Sequence, residues 1–209
     1  MHISDGVLGT EFLVGGYAAA AVGISVSLRR FDESRAPALG VITSLFFAAS
    51  SLKLPLPPTS VHLILNGLLG IVLGSLAWPC IAVALFFQFL AMGHGGLTTL
   101  GVNVAVLGVG ASCSHLLFRV VARRESVRVT CFAAFLGGTL SVVISSVLVA
   151  LVLYTASAEF VPVGWFIVTS HLVIALLEGL LTASAVGFIL KVKPELLHLK
   201  PTSRGIGIS

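Results

Sequence analysis

All eight prolines of this chain, Pro37, Pro55, Pro57, Pro58, Pro79, Pro162, Pro194 and Pro201, stand at the edges of long apolar runs and none lies inside one. Proline removes a backbone donor and breaks a helix interior, so these positions are boundaries and the runs between them are predicted helices. With the charged residues as a second set of boundaries, seven spans follow: 10–28, 38–52, 60–76, 79–93, 100–121, 130–156 and 164–190. The second to fourth are shorter than the roughly 20 residues of a full membrane crossing, so tilted, broken or re-entrant segments are expected among them.

The runs belong in lipid. Hydrophobic residues make up 57% of the chain and charged ones 10%, with a mean hydropathy of +1.10, whereas a soluble domain carries about 45–50% apolar and about 25% charged residues. So little polar surface cannot cover such a core in water. The fold class is an all-α integral membrane protein, a bundle of about seven transmembrane helices, because helices satisfy their own backbone groups. The alternation of a membrane β-barrel is absent.

The net charge of +4 and a pI near 9.3 do not point to nucleic acid, because the basic residues lie in short segments between apolar runs. With the amino terminus outside, the inner segments hold Arg29, Arg30 and Arg35, then Arg119, Arg123, Arg124 and Arg128, then Lys191, Lys193, Lys200 and Arg204. That is eleven of the twelve basic residues, with Lys53 outside. The positive-inside rule therefore predicts an outer amino terminus and a cytoplasmic carboxyl terminus. Residues 1–209 read as a single membrane domain: a head over 1–9, a helical bundle over 10–190 and a cytoplasmic tail over 191–209 whose last dozen residues look frayed. The first residues lack the basic n-region of a cleavable signal, so the head is expected to stay attached. Cys80, Cys113 and Cys131 form no C-x-x-C pair and read as small buried hydrophobes.

Polar groups inside lipid are costly and informative. They are His62, Asn66, Gln88, Asn103, His115, His171 and Glu178. Thr59 or Ser60 is expected to cap a helix that enters from outside, with His62 in its first turn and Asn66 one turn deeper on the same face. Four glycines within residues 93–101 predict a tightly folded outer loop, with Thr98 or Thr99 starting the next helix. His94 reads there as a hydrogen-bonding loop residue, with metal ligation as the alternative. His171, Glu178 and Thr182 share one helical face. Glu178 needs a partner, Gln88 or an asparagine across the bundle, and reads as a hydrogen-bond node ahead of a proton relay. His115 reads as structural.

The head, Met1-His2-Ile3-Ser4-Asp5-Gly6, is the one place where an α-amino group, a histidine and a carboxylate lie within five residues. Its amine, the deprotonated His2 amide and a His2 ring nitrogen can present three nitrogens to one metal in fused, planar rings. One more imidazole, for which His62 is placed, completes the four-nitrogen square associated with Ni(II) or Cu(II). Asp5 and Gly6 would turn the chain back, and Asp5 could brace an imidazole. Against this stands a plain frayed terminus carrying a lone histidine.

Met1-His2-Ile3 with Asp5-Gly6, Ser60-Val61-His62-Leu63 with Asn66-Gly67-Leu68-Leu69-Gly70, and Gly93-His94-Gly95-Gly96-Leu97-Thr98-Thr99-Leu100-Gly101 with Asn103 together resemble the substrate-capture (S) membrane subunit of cobalt and nickel energy-coupling-factor transporters, the CbiM/NikM family. The resemblance runs end to end, through His171, Glu178-Gly179 and Thr182. It implies metal ligands at Met1, His2 and His62, supporting roles for residues such as Asp5, Asn66 and His94, and Ni(II) or Co(II) as transported substrate with no resident cofactor. It also implies a membrane coupling (T) subunit, two ATPase (A) subunits and, as a separate chain, any small accessory membrane subunit, in a prokaryotic cell membrane. No phosphate-binding G-x-x-x-x-G-K-[ST] loop is present, so ATP hydrolysis is expected on other subunits. The alternatives are an intramembrane hydrolase, disfavoured by the lack of H-E-x-x-H or G-x-S-x-G, and a purely structural membrane subunit. A planar four-nitrogen site leans toward nickel.

Overall fold

The computed structural model describes residues 2–29, 31–51, 53–56, 59–197 and 199, with the backbone alone at 53–56 and 59–61. Met1, Arg30, Lys200, Arg204 and the end of the predicted tail lie outside the described residues. The elements in chain order are α1 (Thr10–Leu28), α2 (Ala36–Ser51), β1 (Lys53–Leu56), β2 (Thr59–His62), α3 (Asn66–Leu73), α4 (Ala77–Met92), α5 (Leu100–Val121), α6 (Val127–Ala156) and α7 (Val161–Val192).

Among the described residues, five stretches are long and apolar enough to cross a membrane: Thr10–Leu28, Asn66–Met92, Leu100–Val121, Val127–Ala156 and Ala158–Val192. The 16 residues of α2 reach about 24 Å, short of the roughly 30 Å hydrocarbon core. Large apolar side chains such as Val41, Trp165 and Phe188 face outward, as a lipid solvent allows. Inside, α5 is the hub and touches α1, α3, α4 and α6, while α6 packs along α7. Close approach there rests on small residues: a Cβ on Gly138 would meet Thr182, and one on Gly179 would meet Thr139. Helix association in lipid depends on such packing.

The stretch 66–92 is not a single rod. α3 has eight residues and is followed by Gly74 at φ +60° and ψ −130°, a conformation that L side chains avoid. His62, just ahead of α3, and His94, just after α4, bring their rings within 6.3 Å. The chain therefore runs away from this end of the bundle along α3, reverses at Gly74 beside His115, and returns along α4. Between the ends of this helix pair, the same end of the bundle holds non-helical chain.

That chain corrects the prediction of a helix over 60–76. β1 and β2 form an antiparallel hairpin that pairs Lys53 with His62 and Leu56 with Thr59. Thr59 and Ser60 are strand residues, and His62 ends the strand instead of opening a helix. Proline restricts the residue before it to extended backbone, which suits the Leu54–Pro58 approach to a strand. Leu65 then takes a left-handed conformation, φ +51°, and α3 begins at Asn66. Glu178 supplies the acceptor this turn lacks. Its Oε2 accepts from the Leu65 N–H at 2.7 Å and its Oε1 accepts from the Ile64 N–H. The partner predicted for Glu178, Gln88 or an asparagine side chain, is thus replaced by backbone. At the other end of the bundle Pro194–Leu197 forms a short 3-10 turn, and Leu197 is buried with Phe118 and Ala122. The start of the predicted tail is therefore packed. The three cysteines are free, Cys80 buried and Cys113 and Cys131 partly so.

Candidate metal centre

Three histidines from distant parts of the sequence stack at one end of the bundle. The ring of His62 lies 5.1 Å from that of His2, at 27° between planes, and 6.3 Å from that of His94, at 14°. Each is placed by a different device.

His2 is placed by the capture of its neighbour. The Ile3 N–H donates to Asn103 Oδ1 at 2.9 Å, and Asn103 Nδ2 donates to the Ile3 carbonyl at 3.0 Å. The Thr99 hydroxyl donates to the same carbonyl at 2.7 Å. An amide side chain carries a donor and an acceptor side by side, so Asn103 grips the head as a neighbouring strand would. The Ile3 side chain is buried with Leu8, Val102, Val106, Val149 and Leu153, and apolar burial of that kind contributes about 1.5–3 kcal/mol per large side chain.

Asp5 fastens the other side of the turn. It accepts from the backbone N–H of Leu97 at 3.0 Å, Thr98 at 3.0 Å and Thr99 at 3.2 Å, and from the Thr98 hydroxyl at 2.6 Å. These are the orphan donors ahead of α5, where a carboxylate also meets the positive end of the helix dipole. The Thr98 hydroxyl first, and the three N–H groups with it, hold the Asp5 carboxyl below its usual range. Asp5 therefore caps α5 across the chain; it does not brace an imidazole, and the side chain of Thr99, the N-cap residue, caps nothing. The loop must come very close for this: a Cβ on Gly96 would sit 1.9 Å from Asp5 Oδ1. Tyr17 Oη donates to the Leu97 carbonyl and ties the loop to α1.

His62 is held by the Glu178 turn two residues later, and its Nδ1 faces the Leu63 carbonyl at 3.4 Å. With the proton on Nδ1, Nε2 keeps its lone pair. His94 follows Gly93, which ends α4 in a left-handed conformation with its N–H on the Phe89 carbonyl at 2.9 Å. Asn66 does not face His62. Its Nδ2 donates to the Leu107 carbonyl and to Ser145 Oγ, and Ser141 Oγ donates to its Oδ1, which locks the start of α3 to α5 and α6. His171 stays on its own helix, Nδ1 against the Ile167 carbonyl at 2.8 Å. Met1 lies outside the described residues.

Burial sets the protonation of the stack. It pulls the His62 imidazole down to about 3, aided by nearby positive charge. It takes His2 well below the ordinary histidine value, and the charges gathered there, those of His62 and His94 included, push the same way. Both rings are therefore neutral at pH 7, the form that ligates metal. Among the described residues no three His, Cys, Asp or Glu side chains converge as a metal cluster.

Asn103, Thr99 and Tyr17 carry the architecture of the site and were not assigned to it from sequence. Thr99 and Asn103 stand four residues apart directly after the glycine loop, a polar pair on one helical face that marks a docking edge.

A family model described as the cobalt uptake substrate-specific transmembrane region, CbiM, matches residues 2–196. A metal transport protein of Haemophilus influenzae is 31% identical over 204 residues, 95% of this chain and 97% of that one. The cobalt transport protein CbiM of Sorangium cellulosum is 32% identical, with 94% of each chain covered. A solved transition metal transporter superposes with a TM-score of 0.79 over 92% of this chain and 93% of its own, at 23% identity, which supports the fold.

Proposed function

Because this chain belongs to the CbiM family of cobalt uptake substrate-specific transmembrane proteins, we propose that it captures Ni(II) or Co(II) at the outer membrane face for import. The observation that carries the reading is the half-buried, neutral His2–His62 stack, 5.1 Å between centroids, on a head clamped in place. The ligands are the Met1 amine, the His2 amide and ring, and the His62 ring. In a fused chelate running from the His2 amide, the ring nitrogen that closes a six-membered ring is Nδ1. His62 then adds Nε2, the nitrogen its Leu63 contact leaves with a lone pair. Four nitrogens in a plane favour Ni(II) over Co(II). His94, Asp5 and Asn66 support the site without joining it.

In this reading the chain crosses the membrane with its amino terminus outside and its carboxyl terminus in the cytoplasm, α3 and α4 re-entering from the outer face. ATP-driven uptake then needs a membrane coupling subunit and two ATPase subunits on separate chains, and a small accessory membrane subunit is a further candidate partner. The protein is a transport component, as its named relatives are.

The test is bound metal after purification. The unaltered protein is expected to hold about one equivalent of Ni(II) or Co(II). One extra residue before Met1, His2→Ala and His62→Ala should each abolish stoichiometric binding. Retention of metal by all three would refute the ligand assignment.

A further inference from the structure

A small enclosed cavity lies beneath the histidine stack, between His2 and His62 above and Ser50 and Gln88 below, with Phe46 and Leu85 among its apolar walls. Two atoms of its lining residues are buried without a hydrogen-bond partner: His2 Nε2 and Gln88 Oε1. Gln88 is 1% exposed, so a carbonyl-type oxygen left idle there is costly.

The orientation of the Gln88 amide follows from Ser50. The Ser50 hydroxyl donates its one proton to the Phe46 carbonyl, so its oxygen can only accept, and it accepts from Gln88 Nε2. Turning the amide over would set two acceptors face to face. Oε1 is thus committed to the cavity side, where the open group is the His2 ring. The space open to a water centre is about 10 Å³, near the minimum of roughly 10–15 Å³ that holds a single water. His2 Nε2, Gln88 Oε1 and the Ser50 oxygen offer that water the polar partners it requires.

We propose that Gln88 is a positioning residue for His2: through one water in this cavity, its Oε1 accepts the proton of His2 Nε2–H. This rests on the metal reading above. It sets the tautomer that reading requires, because a proton on Nε2 leaves Nδ1 with the lone pair that closes the chelate from the His2 amide. Ligating histidines commonly donate their other N–H to such an acceptor, which fixes ring and tautomer together.

The test uses the full-length protein with ¹⁵N-labelled histidine and two readouts, the metal-free His2 tautomer from ring nitrogen shifts and the Kd for Ni(II) by titration. In the unaltered protein His2 should be the Nε2–H form. Gln88→Leu should give a mixed tautomer and bind Ni(II) about 10- to 100-fold more weakly, the usual cost of losing such a partner. Gln88→Glu, which restores an oxygen acceptor, should recover both readouts. A Gln88→Leu protein with unchanged tautomer overturns the proposal, whether its affinity holds or falls. If that variant does not fold, an Nδ1–H tautomer in the unaltered protein overturns it and an Nε2–H tautomer with a slowly exchanging proton supports it. If the unaltered protein binds no metal, the proposed function fails, while the tautomer still decides the role of Gln88.

Discussion

Removing the Asn103 amide tests whether the head is a docked part of the bundle or an appendage. In Asn103→Leu the Ile3 N–H loses its acceptor at 2.9 Å and the Ile3 carbonyl loses a donor at 3.0 Å. The losses are unequal. The carbonyl keeps the Thr99 hydroxyl at 2.7 Å, so its share is about 1 kcal/mol, while the N–H is left buried and unpaired, adding about 1–3 kcal/mol. A total of about 2–4 kcal/mol corresponds to about 30- to several hundred-fold in the docking equilibrium. Apparent metal affinity falls only as far as the docked fraction does, so Ni(II) affinity is expected to drop by up to that factor. Asn103→Asp should be intermediate, since one carboxylate oxygen still accepts from the Ile3 N–H while the other faces the Ile3 carbonyl. Titration of purified protein gives the affinity, and hydrogen exchange at the Ile3 amide gives docking independently. Wild-type affinity with an equally protected Ile3 amide in Asn103→Leu would refute the clamp.

Gly96→Ala places a Cβ 1.9 Å from Asp5 Oδ1 and should expel the carboxylate, costing about 1–2 kcal/mol as lost caps do. The Asp5→Ala, Gly96→Ala double variant should melt no lower than Asp5→Ala alone, and additive losses would sink this explanation. Glu178→Ala orphans the Ile64 and Leu65 N–H groups, at about 1–3 kcal/mol each, and should lower the thermal midpoint accordingly while weakening Ni(II) binding through His62; Glu178→Gln should lie between it and wild type. With His62 pulled from 6.5 to about 3, the unfolded chain binds a proton below pH 6.5 that the folded chain refuses. The metal-free protein should thus lose stability as pH falls from 6.5 toward 3, by at most about 1.4 kcal/mol per unit for this group. Melting curves of His62→Gln should show a shallower dependence over that window. Because the two rings are already neutral at pH 7, the protons released by Ni(II) come from the amine and the amide, and affinity should keep rising above pH 7.

The helices were legible where apolar length alone decides. α1 and α5 run over 10–28 and 100–121 in prediction and structure alike, because each is a long run closed by charge or glycine. The third span was misread because Leu63-Ile64-Leu65 is as apolar as any helix, and what keeps it irregular is Glu178, 113 residues away at Leu65. Composition carries no trace of such a pairing. The candidate site shows the same division. His2 and His62 stand out by type and position, and the structure brings them together. Asp5 was legible as a functional carboxylate, yet its partners are backbone N–H groups of residues 97–99, which every sequence has. Gln88 stood out only as a costly polar residue, since its use depends on which way Ser50 points its proton.

Irregular backbone within an apolar bundle survives only if its polar groups are met inside the protein. Here each irregular segment is met by a side chain from a helix: Ile3 by Asn103 and Thr99 of the α5 start, Ile64 and Leu65 by Glu178 of α7. Glu178, expected as a hydrogen-bond node, and Asn103 with Thr99 are thus the fasteners of two histidine-bearing segments. One segment is pinned to α5 and the other to α7, and α6 packs against both helices. The separation of His2 and His62 is consequently set by how α5 and α7 seat on α6, on a seam of small residues such as Gly138 and Gly179. Asn66, next to Leu65 in the second segment, is also bonded to α5 and α6, so three helices together hold the two imidazoles at that separation.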